Sequence, residues 1–428
     1  MPLSIDQQSV ADMFMKFVST PHEKEMVILG SPGCGKSYLT KHLIDLLRKS
    51  NTLTHLLSPG SSGVKIHCTA TTNKAARVLA DFTGEPAQTI HALLGLKVTN
   101  NLFTGKTSLK KTSNYAVVED SVVFIDEASQ EDTHLLHTIR SSTMNCKVVH
   151  IGDPYQLTSV HETISPVFKD IKLQGILTNS QRFTPGGPID TLATGYRNAI
   201  DTGVFPVINI DGKNIKHCNG KSFRDEINYE FLHARNLHEN HAKIMAWSNV
   251  KVRAYNSYVR GLHTSFEAFE VGEKVITNKP ILGRNGRTAY HTEQAAIVSS
   301  ITAGEEHDIP GWWITLSNET HVFQPKDPQM IKLLVKQAAI KAKETKDWSK
   351  YFSIQDFFAD LRPIHASTIH KAQGSTYDKV FIDLDDISRC HQPNVVARLL
   401  HVAISRASRQ VILYGNLPPK YGSINHGS

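Results

Sequence analysis

The residues best suited to chemistry form one short stretch near the amino terminus. From Gly30 to Ser37 the sequence reads G-S-P-G-C-G-K-S, which matches the pattern G-x-x-x-x-G-K-S. Its glycines allow several backbone N–H groups to point into one concavity, and a following helix adds the positive end of its dipole. Lys36 would reach the β- and γ-phosphates of a nucleoside triphosphate, and the Ser37 hydroxyl would hold Mg²⁺. The pattern predicts a nucleotide-binding loop.

The elements around this loop support the prediction. An apolar run from Met26 to Leu29 predicts a strand before it, and helical periodicity from Tyr38 to Leu47 predicts a helix after it. This context makes a chance match to a Gly-rich turn a poor alternative. We expect the following residues to bind the nucleotide: Gly30, Ser31, Pro32, Gly33, Cys34, Gly35, Lys36, Ser37 and Tyr38.

A helix is also predicted upstream of the loop, over residues 3–18. Ser4 is a suitable N-cap and Gln7 follows three residues later, as in a capping box. Gln7 is placed where its side-chain amide could read an adenine edge, and a solvated glutamine at a helix start is an equal alternative. The apolar face of this helix comprises Val10, Met13, Phe14 and Phe17.

Two later apolar runs also end in polar side chains. Residues 121–125 lead to Asp126 and Glu127, and residues 147–151 lead to Gln156. The carboxyl ends of parallel strands meet at one edge of a sheet, so these groups should lie beside the phosphates. Asp126 would bind Mg²⁺, Glu127 would orient and deprotonate an attacking water, and Gln156 would sense the γ-phosphate. The arrangement predicts triphosphate hydrolysis.

Two segments of the first half contain groups that suit nucleic acid. After a strand at residues 64–68, the hydroxyls of Thr71 and Thr72 and the amine of Lys74 suit backbone phosphates, although an N-cap explains one threonine equally well. Residues 97–116 are polar and β-prone and predict an inserted hairpin. Basic and aromatic groups lie together in this segment, which suits exposed bases, but a solvated hairpin explains them equally well: Lys106, Lys110, Lys111, Phe103 and Tyr115.

The second half shows a change of pattern near residue 270. Residues 243–249 predict a strand and a polar turn, and Val252, Tyr255 and Val259 mark one face of the next helix. Short β-prone pieces then predict a small β-barrel insertion, followed by an amphipathic helix over residues 330–346. We expect core or interdomain packing from the aromatic residues that come next: Trp348, Tyr351, Phe352, Phe357 and Phe358.

Composition adds weaker constraints. A chain of 428 residues is expected to form two to four domains, and a formal net charge of +7 fits a polyanionic partner without requiring one. Five well-separated cysteines with no C-x-x-C pair argue against a zinc site or a disulfide framework and favour a reducing compartment. No apolar run approaches the roughly 18 residues of a membrane span, so we expect a cytoplasmic protein without a membrane partner.

The order of these motifs resembles that of superfamily 1 helicases. The wording H-K-A-Q-G-S-T at residues 370–376 is typical of the RecD-like, 5′-to-3′ branch, and the motif spacing is most similar to that of a helicase from T-even bacteriophages. Thr71 and Asn73 depart from the proline and glycine of motif Ia, and Ser405 replaces a threonine. The segments that resemble motifs I, Ia, II, III, V and VI are residues 30–37, 70–76, 126–129, 152–160, 366–378 and 400–408.

The resemblance implies an α/β fold with two RecA-like P-loop domains built on parallel sheets, a β-hairpin insertion and an SH3-like β-barrel insertion. Residues 1–180 would form the first domain, with the hairpin at 96–118. Residues 181–269 and 362–428 would form the second domain, and residues 270–361 the barrel and a helical segment.

The resemblance also implies roles for individual residues. Arg182 and Arg406 would contact the γ-phosphate, Gln373 and Gly374 would bind the nucleotide, and Gln373 would also link the nucleotide to DNA. The implied DNA-binding residues are Thr71, Thr72, Asn73, Lys74, Thr89, His91, Phe103, Ser248, Asn249, Thr368 and His370.

These features predict an ATP- and Mg²⁺-dependent 5′-to-3′ DNA helicase and single-strand translocase, working as a monomer in a phage-infected bacterium. Its partners would be single-stranded DNA, tailed or forked duplexes, and a single-strand-binding, replication or recombination protein. Two alternatives are a P-loop ATPase acting as a loader or switch and an RNA-directed helicase. The second-half sequences T-I-H-K-A-Q-G and S-R-A, which a single-domain switch would lack, favour the motor.

Overall fold

The apolar runs that flank the phosphate loop are strands of a parallel sheet in the computed structural model. The chain forms two compact units, one comprising Met1–Gly95, Asn114–Val252 and Ser367–Ser428 and the other comprising Leu96–Ser113 and Arg253–Ala366. The structure describes residues 2–58, 63–104, 107–113, 115–157, 164–179, 186–233, 240–283 and 287–426.

The elements of the first part of the chain are, in order, α1 (Ile5–Ser19), β1 (Glu25–Gly30), α2 (Lys36–Leu57), β2 (Lys65–Ala70), α3 (Asn73–Thr83), β3 (Ala87–Thr89), α4 (Ile90–Leu93), β4 (Leu96–Asn100), β5 (Thr107–Lys111), β6 (Val118–Glu119), β7 (Ser121–Asp126), α5 (Thr133–Ser141), β8 (Thr143–Met144), β9 (Lys147–Gly152), α6 (Val167–Asp170) and β10 (Gln174–Leu177).

The remaining elements are α7 (Pro188–Thr202), β11 (Ile208–Asn209), β12 (Ile215–Cys218), α8 (Gly220–His233), β13 (Ala242–Ala246), α9 (Asn249–Gly261), β14 (Lys274–Thr277), β15 (Ile281–Leu282), β16 (Thr288–Tyr290), β17 (Ala295–Glu306), β18 (Ile309–Leu316), β19 (His321–Pro325), α10 (Pro328–Thr345), α11 (Ser349–Phe357), β20 (Leu361–Pro363), β21 (Ala366–Thr368), β22 (Tyr377–Asp383), α12 (Leu384–Ile387), α13 (Pro393–Ile404), β23 (Ala407–Tyr414) and β24 (Ile424–Asn425).

The first sheet has the strand order β10-β1-β9-β7-β2-β3, and its paired strands run parallel. Both faces are covered, so the residues of β7 from Ser121 to Ile125 are all buried and Asp126 is the first to emerge. Ala70 pairs with Asp126, which brings the loop after β2 beside the carboxylates. The core packed against this sheet includes Val10, Phe14, Leu39, Leu43 and Phe124.

The second sheet has the strand order β12-β23-β22-β13-β21 and belongs to the same compact unit. Its first four strands pair in parallel. α13 is buried from Val396 to Ile404, because its apolar residues pack into the core beneath this sheet. The segment that resembles motif V includes β21 and the residues between β21 and β22, and the segment that resembles motif VI covers the end of α13 and the start of β23.

The smaller unit is antiparallel. β4 pairs with β5 as a hairpin at the position predicted from the sequence, and a separate sheet has the order β19-β18-β17-β14-β20. α10 packs Ile331, Leu334 and Val335 onto the core of this unit. The expectation of core packing is confirmed for Phe352 and Phe358, which are 6% and 1% exposed.

No helix among the described residues has the length and apolarity that a membrane crossing requires.

Candidate nucleotide and nucleic-acid site

The loop between β1 and α2 has the backbone that the glycine pattern predicts. Gly33 and Gly35 have φ angles of 85° and 82°, a left-handed region that residues with a Cβ rarely adopt. A Cβ on Gly30 would lie 2.3 Å from Cys34 Sγ. All three glycines are therefore required by local geometry.

Lys36 lies over this loop. Its Nζ donates hydrogen bonds to the main-chain oxygens of Gly30 at 2.7 Å and Ser31 at 3.1 Å. Lys36 and Ser37 line a cavity of about 390 Å³ together with Asp126. An ammonium group, loop amides, a hydroxyl and a carboxylate form a donor set that fits a triphosphate with Mg²⁺.

The two carboxylates at the end of β7 are half-buried. Glu127 has φ 57°, an unusual backbone for this residue type, and its N–H donates to Asp126 Oδ1 at 2.9 Å. Burial raises the pKa of Asp126, and burial together with the Asp126 charge raises the pKa of Glu127 to about 7. Glu127 Oε2 is buried without a hydrogen-bond partner in the described part of the chain. A carboxylate in this state can accept a proton near neutral pH.

Arg406 enters the same cavity from the second sheet. It is 2% exposed, and its guanidinium donates to the main-chain oxygens of Val402 and Ser375 and to Ser405 Oγ, at 3.2, 3.4 and 3.0 Å. Burial lowers the pKa of Arg406, while the charge of Glu127 opposes that shift. Groups from both parallel sheets therefore surround one cavity.

Three glutamine side chains connect the two sheets. Gln130 Nε2 donates to Gln373 Oε1 at 3.1 Å, and Gln373 Nε2 donates to Gln156 Oε1 at 3.2 Å. Of these, Gln156 lines the cavity. Sequence reasoning missed Gln130, although it lies only three residues after Glu127. The chain of amides joins the segments that resemble motifs III and V to Gln130, the residue directly after the segment that resembles motif II.

The predicted nucleotide-binding residues divide between the cavity and its support. Gln7 is 4% exposed, so the alternative of a solvated glutamine is wrong. Its Oε1 accepts from the Ser4 N–H at 3.1 Å, and its Nε2 donates to the Cys34 oxygen at 3.3 Å. Gln7 therefore holds the loop in this structure. The residues predicted to bind the nucleotide that line the cavity are Pro32, Gly33, Gly35, Lys36, Ser37, Tyr38 and Gly374.

The predicted DNA-binding residues of the first sheet make internal contacts. Thr71 Oγ1 donates to the main-chain oxygen of Glu127 at 3.2 Å, and Thr72 caps α3 by accepting from the Ala75 N–H at 3.2 Å. Lys74 Nζ donates to the Lys371 oxygen at 2.6 Å. Thr89 caps α4, Asn73 is the first residue of α3, and burial lowers the pKa of His91.

The predicted DNA-binding residues of the second sheet also make internal contacts or are buried. Ser248 donates its hydroxyl and its N–H to the buried Asp386 carboxylate at 2.8 and 2.7 Å. Asn249 begins α9, Thr368 ends β21 at 7% exposure, and burial lowers the pKa of His370. Phe103, near the hairpin tip, is by contrast 81% exposed. Arg182 and Lys106 lie outside the described residues.

The chain matches two family models. The model described as an AAA domain matches residues 16–162, and the model described as a UvrD-like helicase C-terminal domain matches residues 363–414. The first match contains the phosphate loop and the β7 carboxylates, and the second contains Gln373 and Arg406.

Two curated relatives are helicases. The ATP-dependent DNA helicase Dda of Enterobacteria phage T4 is 26% identical over 458 residues, covering 96% of this chain and 98% of that protein. The ATP-dependent RecD2 DNA helicase of Deinococcus radiodurans is 28% identical over 158 residues, covering 37% of this chain and 18% of that protein.

Solved structures of Pif1 helicases share the fold. The structure of Bacteroides Pif1 in complex with ADP-AlF3 and ssDNA has a TM-score of 0.51 at 16% identity and covers 99% of this chain and 95% of its own. Candida albicans Pif1 has a TM-score of 0.50 at 17% identity, covering 99% and 96%. The predicted α/β fold with parallel sheets is confirmed. The motifs, the two domain matches and the whole-length similarity to Dda show that this chain is similar to superfamily 1 helicases, among them Dda and, over part of its length, RecD2.

Proposed function

We propose that the chain is an ATP-dependent 5′-to-3′ DNA helicase and single-stranded DNA translocase. The observation that carries this proposal is the shared cavity, where Lys36, Asp126 and Glu127 from the first sheet meet Arg406 from the second. A guanidinium supplied by one domain to a triphosphate held by another makes hydrolysis depend on how the two domains are placed. This is the requirement for a motor.

Each charged group has a distinct task in this proposal. Lys36 binds the β- and γ-phosphates, and Ser37 with Asp126 would hold Mg²⁺. When bound, Mg²⁺ would polarise the phosphoryl oxygens and offset their charge. Glu127 takes a proton from the attacking water, and Arg406 stabilises the charge that develops on the γ-phosphate. Arg182 is the proposed second guanidinium.

Coupling to DNA follows from contacts that join the two sheets. Lys74, at the start of α3, donates to the Lys371 oxygen, and the amide chain links Gln130 and Gln156 to Gln373. A change of position at the nucleotide is thereby transmitted to the loops that we propose to contact the strand. Opening and closing in each ATP cycle would shift the grip on single-stranded DNA.

We further propose the domain plan given by the resemblance, with RecA-like domains at 1–180 and at 181–269 with 362–428, and an SH3-like insertion within 270–361. The hairpin would separate the strands of a forked or tailed duplex through its exposed Phe103. The proposed setting is a monomer in the cytoplasm of a phage-infected bacterium, with single-strand-binding, replication or recombination proteins as partners.

The proposal is tested by strand displacement with ATP and Mg²⁺ on two duplexes that differ only in a 5′ or a 3′ single-stranded tail. We expect unwinding of the 5′-tailed DNA alone. Unwinding from the 3′ tail alone would overturn the polarity. ATP hydrolysis without unwinding of either DNA would favour a loader or switch, and unwinding of matched RNA alone would favour an RNA-directed motor.

A further inference from the structure

Helix α13 carries two polar side chains in an otherwise apolar, buried segment. Arg398 and His401 are 4% and 2% exposed, although ionisable groups of this kind are rarely enclosed without partners. They lie three residues apart and therefore share one face of the helix. Both face the loop after β9, which runs from Asp153 to Gln156 and belongs to the first-sheet side of the cavity.

Arg398 binds the main chain of this loop. Its Nη1 donates to the oxygens of Pro154 at 2.7 Å and Gln156 at 2.6 Å, and its Nε donates to Asn394 Oδ1 at 3.0 Å. Burial lowers the pKa of Arg398, and the nearby charge of Asp153 opposes that shift. Two carbonyl oxygens thus replace the water that a guanidinium would otherwise bind.

His401 lies beside the same loop on the next turn of α13. Its Nδ1 lies 2.9 Å from the Ala193 oxygen, and because a carbonyl can only accept, this nitrogen carries a proton. Its Nε2 faces Asp153 Oδ2 at 3.7 Å. Asp153 Oδ1 in turn accepts the Tyr155 N–H at 3.0 Å. The loop is therefore shaped by Asp153 and held by Arg398.

We propose that Arg398 is a positioning residue for Gln156. The inference rests on the proposed function, because Gln156 acts there as the contact to the γ-phosphate. α13 ends at Ile404, two residues before Arg406, so one rigid helix sets the position of both Gln156 and Arg406. The second sheet thereby controls two groups of the cavity at once.

The test compares Arg398→Met and Arg398→Lys with Arg224→Met, a matched change at an exposed arginine of α8. Arg398→Met should lower kcat for DNA-stimulated ATP hydrolysis about tenfold or more, with KM for ATP changed less than about threefold. Arg398→Lys should recover part of the loss because one ammonium can still reach one of the two oxygens. Arg224→Met should match the parent protein.

A double-mutant cycle separates positioning from general structural damage. If Arg398 acts through Gln156, Arg398→Met combined with Gln156→Ala should be no slower than Gln156→Ala alone. Rates that multiply would overturn the proposal, and so would an Arg398→Met protein as active as Arg224→Met. If Arg398→Met fails to fold, the same cycle is run with Arg398→Lys.

Hydrogen exchange without nucleotide keeps this inference distinct from the proposed function. The amides of Tyr155 and Gln156 should exchange faster in Arg398→Met than in the parent protein. In Arg224→Met their exchange rates should equal those of the parent. If the parent protein hydrolyses no ATP, the proposed function is rejected. Faster exchange in Arg398→Met would in that case still support the positioning of the loop. Unchanged exchange would overturn the positioning itself.

Discussion

The nucleotide cavity and the predicted DNA-contact residues differ in how their polar side chains are used. In the cavity, Glu127 has a buried oxygen without a partner among the described residues, and burial raises its pKa to about 7. In the DNA-contact group, the hydroxyls of Thr72, Thr89 and Ser248 already serve helix caps or a buried carboxylate. The nucleotide cavity thus keeps a hydrogen-bonding atom available for a ligand, whereas the hydroxyls of the DNA-contact group are used within the protein.

This difference matches the distinct roles of the two regions in the proposed function. Groups that react need a perturbed environment, and the fold supplies it by partly burying carboxylates beside Lys36 and Arg406. Groups that grip a repetitive backbone can instead be main-chain amides at helix starts and exposed rings such as Phe103. Substitutions at Glu127, Phe103 and Thr72 test this difference.

The largest effect is expected at Glu127. Glu127→Gln should lower kcat for ATP hydrolysis by about 10²- to 10⁴-fold because the amide cannot accept the proton. In the parent protein, kcat/KM for ATP should rise about tenfold per pH unit below a pKa of about 7 and level off above it. The measurement is a pH series of steady-state hydrolysis. A flat profile would contradict the assignment of Glu127 as base.

The same pKa has a consequence for stability, which serves as a control. Because the pKa of Glu127 is raised on folding, the folded state binds a proton that the unfolded state has lost, and stability falls as pH rises through about 7. Glu127→Gln, which mimics the neutral form, should have a higher Tm than the parent at pH 8 and an equal Tm near pH 4. A lower Tm at pH 8 would mean that the carboxylate is stabilised by unrecognised contacts.

A smaller effect is expected at the hairpin tip. Phe103→Ala should slow unwinding of tailed duplexes about tenfold, since loss of one base–aromatic contact costs about 1–3 kcal/mol. ATP hydrolysis stimulated by single-stranded DNA should change less than about twofold, because Phe103 is remote from the cavity residues in sequence and is 81% exposed. The matched control is Phe266→Ala, which removes a 66% exposed ring from the same compact unit. Unchanged unwinding would refute the strand-separating role of the ring.

The smallest effect is expected at Thr72. Thr72→Val removes the cap of α3 and should lower the free energy of unfolding by about 1 kcal/mol, with DNA affinity changed less than about threefold. Denaturant titration and fluorescence anisotropy of labelled single-stranded DNA measure the two quantities, and Thr72→Ser should restore stability. A large loss of DNA affinity without a loss of stability would assign the hydroxyl to DNA and remove the contrast between the regions.

The sequence anticipated the cavity better than its surroundings. Lys36, Ser37, Asp126 and Glu127 could be assigned because each follows an apolar run, and the carboxyl ends of parallel strands necessarily share an edge. Gln7 was placed near the loop, but its burial and its bond to the Cys34 oxygen could not be read from spacing. Local patterns report what lies within one or two elements, and they do not report how distant elements pack.

The residues that were missed illustrate this limit. Gln130 and Gln373 form a hydrogen bond although they are 243 residues apart in sequence. Arg398 donates to the main-chain oxygen of Gln156, 242 residues away. For Arg398, the only signal in the sequence was a charged residue within the otherwise apolar helix from Pro393 to Ile404. Which partner it meets depends on how two separately formed sheets pack together.

Four features can be read from the sequence alone: the phosphate loop, the strand-end carboxylates, the parallel α/β class and the helicase motif set. The first three follow from local periodicity, or from backbone geometry that only certain residues permit, whereas the motif set is a resemblance to superfamily 1 helicases. Three others require the folded structure: the burial of Glu127 Oε2, the amide chain through Gln373 and the contact of Arg398 with the Asp153–Gln156 loop. These depend on burial and on long-range packing, since both the pKa of a carboxylate and the partner of a guanidinium are set by the groups that surround them in space.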